Sequence, residues 1–451
     1  QYGSYYNENN NWWPYFKYLN NYKARVSALL QNAEMYTDIA ILPANYDLWG
    51  EMGVQTDPFP EKLNIPYTSL IWEAINKNGG AADYTSEIVI SDSEVKKGKL
   101  CYGPKEYNTI FLAEVASINP ETLAKLYEFV VQGGRIFCVE KYPEKSPGLQ
   151  NFKARDKEVQ YWIEKLKTVP NNFILIKKPA DNRFVEWYAE VMKKHKIPNY
   201  LEIENPNRFL MQTRYQADDK SEIFFFTNVH LNEEKHSKIT FSKEILKGRN
   251  VWIWNPETGE RFRIYLTKEG SFNLKLGPAE SQIIVFDRNK KGIDWKPVPT
   301  TGSKLFEINS PWKVEFQHCQ NKSVEPTTLN SLKDLKDIPE YTHFSGSVFY
   351  KTQIEIGKEI PEFINLGKVN DLAKLKINDV DVGIKWYGNR IFKVGHLLKE
   401  GKNVLEIEVV TLMGNYMKSL TENDNVQYWT NLKNKNQPLM PLGLLGPVSL
   451  Y

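Results

Sequence analysis

The chain has 451 residues, with 58 basic and 55 acidic side chains, a formal charge of +3, 41% hydrophobic and 25% charged residues. A charge so nearly balanced leaves no footprint for nucleic acid, and apolar runs such as "IFLAEVA" and "EIFFFTNV" fall far short of the ~18 residues of a bilayer helix, so no nucleic-acid partner and no membrane span are expected. At roughly 100–200 residues per domain the length suggests three or four units, and three cysteines, Cys101, Cys138 and Cys319, neither build a disulfide framework nor fix a redox compartment.

The N-terminus, "QYGSYYNENNNWWPYF", shows no initiator Met, basic n-region or apolar h-region, so it is no signal peptide. The expectation is that a presequence was removed or that the chain is cut from something longer. Tyr15, Tyr18, Leu19, Tyr22, Val26, Leu29 and Leu30 then recur at spacings of three and four, an amphipathic helix with Pro14 near its first turn. Its aromatic stripe needs a partner surface that the preceding dozen residues cannot supply, which suggests missing N-terminal material.

From about Met35 to Tyr200, apolar runs ("DIAIL", "NTIFLAEV", "RIFCVE", "NFILI") alternate with helical patterns. The best-marked helix has Asn119 as N-cap, Pro120 in its first turn, and Leu123, Leu126, Tyr127, Val130 and Val131 on one face, ending at Gly133 and Gly134. Nearly all-apolar strands between helices imply a parallel sheet covered on both faces, read as a flavodoxin-like α/β domain. Beyond Asn205 the period changes to two, with "SEIFFFTNV", "VWIWN", "ERFRIYL" and "SQIIVFD" as short strands and "NPETG" as the clearest turn: a small β-sandwich ending near Asp287. The polar "RNKKGIDWKPVPTTGS" reads as a linker, and a second all-β unit runs to Tyr451, including the hairpin "KINDVDVG".

In an open α/β sheet, sites lie at the carboxyl ends of the strands. Glu114 and Glu140 end two apolar strands, and such a pair can divide into an acid and a base; the alternative is two solvated loop residues beside Lys141. Cys138 lies inside an apolar strand and Cys101 lacks a nucleophile setting, so both read as packing residues. Histidines 195, 230, 236, 318, 343 and 396 show no ligand spacing, and no phosphate-binding glycine motif occurs, so neither a metal nor a nucleotide cofactor is expected. "KWYGNR" joins Trp386, Tyr387, Asn389 and Arg390 in one loop, either a glycan contact or an edge packed on a neighbouring domain. Asp47 to Glu61, with Trp49, Glu51 and Gln55, reads as a long loop at a domain interface or a substrate rim.

Several segments resemble known units. "YTHFSGSVFYKTQIEI", "INLGKVNDLAKLKINDVDVGIKW", "LKEGKNVLEIEV" and "PLGLLGPVSL" look like the sugar-binding, galactose-binding-like jelly roll of glycoside hydrolases, with Asn378-Asp379 where that pattern has Asn-Gly. "NYKARVSALLQNAEMYTDIAIL" resembles the junction of a catalytic barrel's last helix with a glutamine-amidotransferase-like domain, and "WNPETGE" with "LGPAESQIIVFD" resembles the β-domain that follows. The order is similar to the C-terminal part of glycoside hydrolase family 106, the α-L-rhamnosidases.

That resemblance implies carboxylate chemistry on a (β/α)₈ barrel upstream of Gln1. The expectation is therefore a non-catalytic C-terminal portion that braces a missing N-terminal catalytic domain and has no activity alone. No catalytic residue is carried over, and a degenerate amidotransferase-like domain is implied. The alternatives are a carbohydrate-binding module, or an independent hydrolase using Glu114 and Glu140. The expected units are 1–34 (a helix from the end of the barrel), 35–200 (amidotransferase-like), 201–288 (β-sandwich), 289–303 (linker) and 304–451 (jelly roll). The resemblance further implies a polysaccharide or oligosaccharide partner, a secreted or periplasmic location, and a structural calcium ion as a possibility for the jelly roll, with no ligand set.

Overall fold

The computed structural model describes residues 7–51, 66–296, 306–429 and 436–451. It is a multidomain architecture, mixed α/β followed by several antiparallel sheets.

In the first unit Ile39–Pro43 pairs in parallel with Ala82–Tyr84 on one side and Thr109–Ala113 on the other, and Arg135–Val139 and Phe173–Ile176 extend the sheet to five strands. Every residue of Thr109–Ala113 is buried, as a strand covered on both faces requires. One face packs on helices Pro120–Val131 and Phe152–Lys167 through Leu123, Phe129 and Ile163; the other packs on Pro66–Lys77 and Phe184–His195 through Ile71, Ile75 and Tyr188.

Helix Pro120–Val131 departs from its sequence reading in two ways. Phe129 is fully buried while Val131 is 51% exposed, so the buried stripe is rotated from the expected one. Asn119 stands at the N-cap position, yet its side chain caps nothing. The Glu87 carboxylate, from the short helix Glu87–Asp92, anchors the start of the helix instead, accepting from the Asn119 N–H at 2.8 Å, the Asn119 amide at 3.1 Å and the Thr122 hydroxyl at 2.8 Å.

The second unit sets a seven-stranded sheet against a three-stranded one across a core that includes Phe224, Phe226, Phe241, Leu274 and Phe286. Ala33–Met35, from the N-terminal region, pairs with Leu210–Ala217 in the larger sheet. Ile293–Asp294, inside the expected linker, adds a parallel edge pairing to the strand Arg261–Ile264. The "NPETG" turn forms as expected: the Asn255 carboxamide accepts from the Glu257 N–H at 2.9 Å, and the Gly259 N–H donates to the Asn255 carbonyl at 2.8 Å.

The third unit packs a six-stranded and a four-stranded sheet around a core with Trp312, Tyr350, Leu375 and Leu405. At its hairpin Asn378 and Asp379 both take left-handed backbone, φ +49° and +66°, as a tight two-residue turn demands.

Helix Phe16–Leu30 ties the two β-units together. Val26, Leu29 and Leu30 cover Ile223, Ile283 and Val285 on the outer face of the seven-stranded sheet, which explains why "EIFFFTNV" is apolar on both sides. Tyr18, with Trp12 and Tyr15 just before the helix, packs on Leu372, Ile384 and Val410 of the third unit, and the Tyr15 hydroxyl donates to Glu408 at 2.6 Å. The aromatic stripe thus finds its partners downstream in this chain, so it is no sign of missing material.

Candidate functional site

Two places gather chemistry-bearing side chains. The first is the carboxyl edge of the parallel sheet. Ala113 and Val139 are in register on adjacent strands, so Glu114 and Glu140, one residue later, emerge side by side. Both adopt left-handed backbone, φ +55° and +68°, which costs about 1–2 kcal/mol for a non-glycine residue and turns the chain out of the sheet after its last buried position.

Each carboxylate meets a lysine that follows the edge strand Phe173–Ile176. Lys178 Nζ lies 2.5 Å from Glu114 Oε1, Lys177 Nζ lies 3.0 Å from Glu140 Oε1, and the Lys178 N–H donates to Glu140 Oε2 at 3.0 Å. The Lys178 N–H and the Lys177 ammonium pull the Glu140 carboxyl below its ordinary range. An acid and base pair needs one carboxyl to hold a proton. Glu114 and Glu140 stand in ion pairs with Lys178 and Lys177, lysines that the sequence reading left out.

The neighbouring segment is a helix at its start, Asn45–Glu51, where a long loop was expected. Asp47 accepts from the Ala116 and Ser117 N–H groups at 2.8 and 3.1 Å, fixing the loop beyond Glu114. Trp49 is 57% exposed, edge-on to Tyr46 at 5.7 Å. Glu51 ends that helix, and Gln55 lies outside the described residues. Two further buried carboxylates are committed to structure: Glu87 at the helix start, and Glu222 accepting from Arg214 Nε at 2.8 Å and from the Gln216 amide at 3.0 Å.

The second place is the seam between the two β-units, where the Lys385–Arg390 loop sits. Trp386 and Tyr387 meet the Tyr22 ring edge-on at 6.3 and 6.0 Å, and burial together with Glu257 raises the Tyr387 hydroxyl's pKa. Lys385 Nζ lies 3.1 Å from Glu257. Arg390 is buried, donating to the Gly388 carbonyl at 2.6 Å and the Asp371 carbonyl at 3.1 Å, and burial lowers its pKa to about 10. Trp386 and Tyr387 are thus engaged in holding the helix against the third unit, and Arg390 in bracing that unit's own loop.

Asn389 differs. Its amide donates to Glu234 at 2.6 Å, and it lines a cavity of about 490 Å³. Around it stand Tyr265, 68% exposed, with Trp295, Arg263, Gln282 and Glu280. Burial raises the Glu280 carboxyl, against the Gly277 N–H that donates to it at 2.6 Å. The seam is close-packed: a Cβ on Gly388 would sit 3.1 Å from the Glu280 carboxyl carbon, and one on Gly277 would sit 2.6 Å from the Asn389 nitrogen. The cavity joins aromatic faces to amide, guanidinium and carboxyl groups, the combination that fits a hydroxylated ring with an apolar face. Sequence reasoning found Asn389 but missed Tyr265, Gln282 and Trp295; Trp295 lay in the expected linker. The available signal was the polar-aromatic alternation of "ERFRIYL".

Cys138 is fully buried, its thiol pushed up by burial, and burial also raises the thiols of Cys101 and Cys319, so none is set up as a thiolate nucleophile. Among the described residues no three His, Cys, Asp or Glu side chains form a metal-holding group, and no helix there is long and apolar enough to cross a membrane.

Residues 1–268 match the model of glycoside hydrolase family 106, described as alpha-L-rhamnosidase. A protein of Formosa agariphila named "Putative beta-glucuronidase" is 24% identical over 307 residues, 64% of this chain and 22% of its own length. The structure of a rhamnosidase from Novosphingobium sp. PP1Y superposes with a TM-score of 0.66 at 22% identity, over 99% of this chain and 42% of that one, a likeness of fold. The chain therefore spans well under half the length of both.

The family match overturns an expectation from the sequence. The α-L-rhamnosidase model matches residues 1–268 themselves, from the aromatic helix through the parallel sheet into the second unit. The chain is thus not merely a non-catalytic C-terminal portion downstream of the family's own domain. A missing N-terminal catalytic domain as partner, and inactivity for want of that domain, fall with it. The error lay in equating the family's domain with eight β/α repeats alone.

Proposed function

The chain belongs to the α-L-rhamnosidase family, glycoside hydrolase family 106, and we propose that it binds rhamnosyl-containing saccharide in the seam cavity, in a protein that hydrolyses α-L-rhamnosidic bonds. The observation that carries the reading is the meeting of Trp295 and Tyr265 with Asn389, Gln282 and Glu280 around one cavity. A 6-deoxyhexose offers a ring face and a methyl group to the aromatics and vicinal hydroxyls to the amides and carboxyl. Trp49 beside the parallel-sheet edge stays a candidate rim residue.

The finer fold reading belongs to the same proposal. Numbered along the chain, the parallel strands lie in the order 2-1-3-4-5, which supports a flavodoxin-like, amidotransferase-like unit. Two antiparallel sheets around one core support a galactose-binding-like jelly roll for the third. The rhamnosidase reading favours a secreted or periplasmic setting.

Titration with methyl α-L-rhamnoside tests the site: Trp295→Ala is expected to weaken binding about tenfold, the loss of ~1.4 kcal/mol of stacking and burial. Wild-type affinity in both Trp295→Ala and Gln282→Ala would sink it.

A second reading, hydrolysis by Glu114 and Glu140, is favoured by the family match covering both residues. On an aryl α-L-rhamnoside, Glu114→Gln or Glu140→Gln would then lower turnover by about 10²–10⁴. Turnover unchanged in both variants removes that reading and leaves the seam site standing.

A further inference from the structure

A cavity of about 620 Å³ lies between helix Phe16–Leu30 and the outer face of the seven-stranded sheet, away from the seam cavity and the strand-end carboxylates. Its floor is apolar: Ile223, Ile283 and Val285 are at most 2% exposed yet line it. Trp254 also lines it, and its indole nitrogen is buried with no hydrogen-bond partner. A buried donor left unmet costs about 1–3 kcal/mol, so such groups call for a partner.

The rim decides which partner fits. It carries four carboxylates, Asp218, Asp219, Glu260 and Asp287, against two guanidiniums, Arg25 and Arg261. Arg25 is occupied with the Pro256 and Glu257 carbonyls, at 3.1 and 2.5 Å. Arg261 stands 3.8 Å from Asp287, and Asp287 also accepts from the Trp252 indole at 2.8 Å. Among the described residues, an anionic ligand would meet a rim of four carboxylates against two guanidiniums that already have partners. A neutral ligand with hydroxyls satisfies the indole N–H with an oxygen, donates to the carboxylates, and lays an apolar edge on the floor.

We propose that this cavity is a second saccharide site, for a neutral 6-deoxyhexose at the end of a glycan and not for a uronic acid. The sugar class rests on the reading of the protein as an α-L-rhamnosidase family member; the preference for a neutral sugar rests on the rim.

Isothermal titration calorimetry of the whole chain with methyl α-L-rhamnoside, supported by saturation-transfer NMR for millimolar constants, tests it. Two ligands per chain are expected. Trp254→Phe keeps the ring but removes the N–H, and should weaken one site about fivefold. Ala28→Trp, on an exposed helix position at the cavity wall, should fill the cavity and abolish that site while leaving the seam site at its wild-type constant. Glucuronate should not compete for it. Two ligands bound with wild-type constants in both variants, or glucuronate competing equally well, overturns the proposal. A single ligand lost only in Trp295→Ala also overturns it and leaves the seam reading intact; one lost only in Ala28→Trp overturns the seam reading and supports this one.

Discussion

Replacing Asp38 by Asn removes a buried carboxyl at the start of the parallel sheet. Its side chain is in a residue 4% exposed, and burial raises its pKa from the ordinary 3.8 to about 6, although the Asn108 amide donates to it at 3.1 Å and Arg214 and Tyr200 also favour the charged form. Arg214 is stacked on the rings of Tyr36 and Tyr200 at 3.8 and 4.4 Å, and its Nε is bonded to Glu222. A carboxyl that holds its proton more tightly when folded contributes stability in full below its unfolded pKa and loses it as pH rises through the folded one. Between 3.8 and about 6 that loss is roughly 3 kcal/mol. Urea unfolding of wild type and Asp38→Asn, at steps from about pH 3.5 to 8, isolates it in the difference between the two proteins. The variant should gain roughly 3 kcal/mol on wild type across the window and run parallel to it above about pH 7. Parallel curves throughout, or wild type gaining on the variant as pH rises, would refute the assignment of the charge penalty to Asp38.

Glu87→Ala should cost about 3 kcal/mol and Glu87→Gln about 1, because the amide oxygen can still receive part of the hydrogen bonding that Asn119 and Thr122 donate; hydrogen exchange should show helix Pro120–Val131 opening first, and equal losses in the two variants would argue against this anchoring. Asp379→Gly relieves a positive φ of +66° in the third unit's hairpin and should raise stability by about 0.5–1 kcal/mol. A lower melting temperature for that variant would mean that the Asp379 side chain does more there than tolerate the turn.

The parts of the fold that were legible in the sequence are those where one residue sees one environment. The all-apolar strands "TIFLA" and "RIFCV" announce a sheet covered on both faces, and it is one. Asn378-Asp379 announces a tight turn, because few residues tolerate left-handed backbone twice in succession. Where two surfaces share a strand the pattern misleads: "EIFFFTNV" shows no clean alternation because helix Phe16–Leu30, two hundred residues earlier, buries its outer face. The same helix looked unpartnered from its own neighbourhood, since a local reading cannot see a surface made by Ile223, Ile283 and Val285.

The candidate sites were less legible for a related reason. Glu114 and Glu140 were found because strand ends are local features, but what they can do is set by Lys177 and Lys178, which reach them from the end of another strand. The seam cavity draws Arg263 and Tyr265, Gln282, Trp295 and Asn389 from four separate stretches of chain, each of which alone reads as the wet side of a strand or as a linker. The motifs that carried the family resemblance, such as "NPETG" and the Asn-Asp hairpin, are turn and packing signals; they report folding units and say nothing about which units face a substrate. That is why the sequence could point to the family while misplacing its domain boundary. It is also why titrations with cavity-filling and indole-removing variants, and not further motif reading, decide where saccharide binds.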